Sequence, residues 1–131
     1  MFLHQLSKKH KEAFWFLTKE ILKEDGIDVL EEKVLKTIAY KLEIEVLSAI
    51  SSEQEAFNIL KDTKNIEKRT IYIEIISAIY ATNDEKLNEH PLLKTIENEF
   101  GLPEDFCQKA KNWTKTFLKS VENGYDLVEG L

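Results

Sequence analysis

The residues best suited to chemistry in this chain are carboxylates gathered at two places. Asp25, Asp28, Glu31 and Glu32 follow one apolar segment, and Asn83, Asp84, Glu85 and Glu89 follow another. Clusters of oxygen donors suit hard cations such as Ca²⁺ or Mg²⁺ rather than Zn²⁺. Asp25, Asp84 and Glu89 are the better ligand candidates, because Asp28 with Glu31 three residues on has the spacing of a capping box. Neither place carries the twelve-residue EF-hand loop. With Gly26 as its sixth residue, that loop would open on Ile21, which has no side-chain oxygen. The same carboxylates also suit the positive N-termini of helices. Asp25, Asp28, Glu31, Glu32, Asp84 and Glu89 are therefore read first as caps and second as ligands of a divalent cation. Catalysis would need one carboxyl of a pair with a raised pKa in a cleft, and capping spacing argues against that use.

The other reactive residue types stand apart from one another. Cys107 is the single cysteine, with only Lys111 as a basic neighbour at helical contact distance. It reads as a buried or half-buried inert thiol rather than a nucleophile. His4, His10 and His90 show no ligand spacing and read as surface or capping residues. Trp113 falls on an apolar stripe and is expected in the core. Trp15, between Phe14 and Phe16, marks a helix that is either central or partly exposed as a contact surface. Lys8, Lys9, His10 and Lys11 read as a solvated first turn. The chain has no Ser/His/Asp order, phosphate-cradling glycine loop or paired-cysteine motif.

Composition sets the frame for these residues. A length of 131 residues predicts one domain, and 43% hydrophobic residues suffice for one modest core. Eighteen Lys and Arg against 24 Asp and Glu give a net charge of −6, which argues against nucleic-acid binding. One cysteine excludes an internal disulfide framework and fits a reducing cytosol. Four Gly and two Pro argue against β-sandwiches and barrels. Met1–Lys9 places its apolar residues before its basic ones, the reverse of a signal peptide. The longest apolar run, Ile71–Ala81, is interrupted by Glu74 and falls short of the roughly 20 residues of a membrane span. A cytoplasmic protein without direct membrane insertion is expected.

Six helices are predicted. Ser7 caps the first, which runs to about Glu24 with Phe14, Leu17, Ile21 and Leu22 on its stripe, and Asp25-Gly26 stops it. Asp28 caps the second, which carries Leu30, Val34, Leu35, Ile38 and Leu42. A short helical piece over Val46–Ile50 follows, then a third helix capped by Ser51 or Ser52 and running through Leu60. Asp62–Asn65 is a loop. The segment Ile66–Thr82 opens with β-branched and aromatic residues that favour a strand. Its apolar stretch is too long for one, so it reads as a central helix apolar nearly all round. A fifth helix starts at Asn88 or His90 and stops at Gly101. A sixth opens at Pro103, with Phe106, Ala110, Trp113, Phe117 and Val121 as its core stripe. Asn123-Gly124 is expected to end it, leaving a tail at 124–131.

Two segments match at an offset of 58. Val34-Leu35-Lys36-Thr37-Ile38 aligns with Leu92-Leu93-Lys94-Thr95-Ile96, and Phe14, Leu17 and Ile21 align with Tyr72, Ile75 and Ile79. The fold expected is all-α: a compact helical bundle of about six to seven helices over residues 2–123, built from a duplicated helical hairpin with units at about 12–44 and 70–102.

This order, an apolar helix, Asp-Gly, a following Glu, an amphipathic helix and a short apolar exit, present twice, resembles the tellurite-resistance TerB-like domains. The opening Phe2-Leu3, Leu6 and Lys11-Glu12-Ala13-Phe14 is similar to the start of small stand-alone bacterial members. The resemblance covers about residues 2–120. It implies an all-α fold of roughly seven helices, an acidic surface and a metal-linked stress-response role, with a protein partner at the inner face of a membrane complex. It brings no catalytic residues. The chain departs from the pattern at Asn83-Asp84-Glu85, where Asp-Gly is expected, so the two turns need not share a metal geometry. The function expected is a non-enzymatic, TerB-like interaction or cation-responsive module. The alternatives are a homodimeric or larger assembly protein, working through Trp15 or the tail, and an enzyme using the acidic turns.

Overall fold

The apolar run Ile71–Ala81 organises the molecule, because a segment apolar on every side must be covered from every side. A computed structural model describes residues 7–22, 29–42, 50–82 and 89–130. Among these residues there are six α-helices and no strand: α1 (Lys8–Leu22), α2 (Val29–Leu42), α3 (Glu53–Leu60), α4 (Asn65–Ala81), α5 (Pro91–Glu99) and α6 (Glu104–Glu129). The all-α expectation holds. In α4, Ile71, Tyr72, Ile75, Ile76, Ala78 and Ile79 are all buried. Burial thus overrides the strand propensity of its opening residues.

The helix starts follow local side-chain chemistry. Ser7 Oγ accepts from the His10 N–H at 3.2 Å. Ser52 Oγ accepts from the Glu55 N–H at 3.2 Å, and Glu55 Oε2 accepts in return from the Ser51 N–H at 3.1 Å. The first bond satisfies a donor that the first turn of α3 leaves free, and the second ties the residue before the cap back to that turn. His90 caps α5, its Nδ1 accepting from the Leu92 N–H at 3.0 Å, with Pro91 in the first turn where its missing N–H costs nothing. At the far end of α5, Gly101 takes φ +62°, and Leu102 N–H and Gly101 N–H donate to the carbonyls of Glu97 and Asn98. That is the Schellman arrangement, which a left-handed glycine allows without a Cβ clash.

α1 packs most extensively on α3, and α4 most extensively on α6. The first helix of each predicted unit is thus held chiefly by the element two places on rather than by its immediate successor. α1 also contacts α2, α4 and α5, and α2 contacts α4. Positions 58 apart have like environments: Phe14 and Tyr72, Leu17 and Ile75, Ile21 and Ile79, and Leu35 and Leu93 are buried in both units. Thr37 and Thr95 each donate their hydroxyl to the carbonyl four residues back, at 3.0 and 3.1 Å. One core cluster joins all six helices, α2 through Leu35 and α6 through its start. Each fully buried large apolar side chain in it contributes about 1.5–3 kcal/mol.

Two expectations fail in α6. It does not stop at Asn123-Gly124 but continues through 124–129 to Glu129, and Gly130 caps it at φ +79°. Asn-Gly favours a turn, yet a glycine inside a helix costs only about 1 kcal/mol relative to alanine. The apolar spacing resumes beyond it at Tyr125 and Val128, so helix remains the consistent local choice. Trp113 is not in the core either: it is 48% exposed, and Phe117 and Val121 are exposed with it. The reason is length. Phe106 and Cys107 already lie beside Tyr72 in the middle of α4. From Tyr72, α4 has at most nine residues left in either direction, whereas α6 has 22 beyond Cys107. At about 1.5 Å per residue, α6 must overrun its support.

Candidate interaction surface and buried polar centre

Among the predicted ligands, Asp25, Asp28 and Asp84 lie outside the described residues, and so does the side chain of Glu31, whose backbone belongs to α2. His4 and positions 43–49, which include most of the short helical piece at Val46–Ile50, also lie outside them. Glu32 is exposed and pairs with Lys36 one turn on at 3.1 Å. Glu89 is exposed just before α5. Among the described residues, no group of three or more His, Cys, Asp or Glu side chains converges as metal ligands would.

The structure instead gathers ionisable side chains around Tyr72. Its ring is fully buried, and its hydroxyl donates to Glu97 Oε2 at 2.5 Å. Glu97, on α5, is itself buried and receives Lys111 Nζ from α6 at 3.4 Å and Lys94 Nζ from its own helix at 3.7 Å. Two cations and a phenol thus compensate one buried carboxylate, which is what keeps such a charge tolerable inside a protein. Cys107 lies against the same hydroxyl. Burial pushes its thiol above the ordinary range, with the Tyr72 hydrogen bond acting the other way. Burial and the hydrogen bonds to Glu97 and Cys107 push the Tyr72 phenol up in turn. The cluster is closed by Phe106, whose ring is 6.1 Å from that of Tyr72 and carries the Arg69 guanidinium at 4.8 Å. A thiol held protonated and a phenol held neutral are poor nucleophiles and bases. The centre ties α4, α5 and α6 together.

Sequence reasoning missed this centre, although Glu97 carries a readable sign. It falls in register with Leu93, Ile96 and Phe100, a charge on the apolar face of α5, and such a charge must find partners. Nothing in the sequence names Tyr72, which lies 25 residues away.

The second feature is a surface. Trp113 and Phe117 stack with centroids 5.3 Å apart and planes 10° apart, both exposed. The apolar stripe continues along α6 through Val121, Tyr125, Leu127 and Val128, the last two 79% and 86% exposed. Beyond Leu118, every described residue of α6 except Gly124 is exposed. Trp15, by contrast, is only 8% exposed and is central in α1. An open groove of about 250 Å³ lies elsewhere, lined by Gln54, Phe57, Asn58, Lys61, Lys68, Glu99 and Phe100. Its lining contains no cysteine, histidine or serine and brings no reactive pair together.

No family model, curated protein or solved structure matches this chain. No helix among the described residues is long and apolar enough to cross a membrane.

Proposed function

We propose that the protein is a non-enzymatic, TerB-like interaction module of a cytoplasmic stress response related to tellurite resistance, working through the exposed apolar stripe of α6 from Trp113 to Val128. The observation that carries the interaction reading is the exposed Trp113–Phe117 stack at the head of a continuous apolar stripe. Apolar patches of this extent on a folded surface mark contact sites, and aromatic side chains dominate such contacts. The non-enzymatic reading is supported by the Tyr72–Glu97 centre, whose ionisable groups are spent on one another. The TerB-like reading is supported by the resemblance of residues 2–120 and by the like burial of positions 58 apart. The acidic turns around Asp25 and Asp84 remain the place for a cation-responsive element of such a module.

A photo-crosslinking amino acid placed at Trp113 in the native cell tests the interaction reading. Specific protein adducts are expected from that position and not from exposed Asn98 on α5. Equal or absent crosslinking at the two positions would contradict it.

A further inference from the structure

We draw no further inference here: the strongest candidate, the exposed apolar stripe of α6 from Trp113 to Val128, carries nothing beyond the interaction reading, because nothing in the structure shows what covers it.

Discussion

The first half of α6 turns Cys107, Ala110 and Thr114 into the core and sends Lys111 to Glu97, whereas the second half turns Val121, Tyr125 and Val128 into solvent. One helix with an unbroken apolar stripe therefore has two roles. The difference lies in what stands opposite: α4, at 17 residues against the 26 of α6, supports the first half, and the apolar side chains of the second half stay exposed. A stripe at helical spacing shows that a helix has an apolar face. How far that face is buried depends on the length of its neighbour.

The contrast is broken most severely by placing a charge in the first half. Ala110→Lys buries an unpaired ammonium beside the core and is expected to cost about 3 kcal/mol or more in a urea melt. Tyr72→Phe removes the hydroxyl that Glu97 and Cys107 share but leaves Glu97 its two lysines. A loss of about 1–2 kcal/mol is expected. The same variant tests the pH dependence. The folded chain holds the Tyr72 proton more tightly than the unfolded chain does, because burial and its hydrogen bonds push the phenol up. That contribution is complete below the unfolded value of about 10 and is lost as pH rises above it. The alkaline decline in stability should therefore be shallower in Tyr72→Phe than in the parent, and parallel declines would contradict the assignment.

Thr114 marks the boundary between the halves. Its side chain is fully buried, and its hydroxyl finds no hydrogen-bond partner among the described residues. Thr114→Val keeps the shape and removes that unpaired group, so a gain of about 1 kcal/mol is expected in the same melt. The smallest effect belongs to the second half. Leu127→Lys and Val128→Lys should change stability by no more than about 0.5 kcal/mol, although both should weaken protein capture by the crosslinker at Trp113.

The helices were legible in the sequence because caps and stripes are local. Ser7, Ser52, His90 and Gly101 act where their types and spacing place them, and α4 is a helix despite its β-branched start. Three things were not legible. The Tyr72–Glu97 bond joins residues brought together by helix packing, which no local spacing encodes. The exposure of Trp113 depends on the relative lengths of α4 and α6. The end of α6 was misplaced because Asn123-Gly124 resembles a stop, while the spacing of Tyr125 and Val128 beyond it favours continuation. The carboxylates first in line for chemistry divide differently: Glu32 and Glu89 are solvent-facing, and Asp25, Asp28 and Asp84 lie outside the described residues.

Amide hydrogen exchange along α6, read residue by residue in dilute protein, tests the two-role account most directly. Amides from Ala110 to Leu118 should be protected, and those from Val121 to Glu129 should exchange fast. Equal protection of the two halves would contradict it.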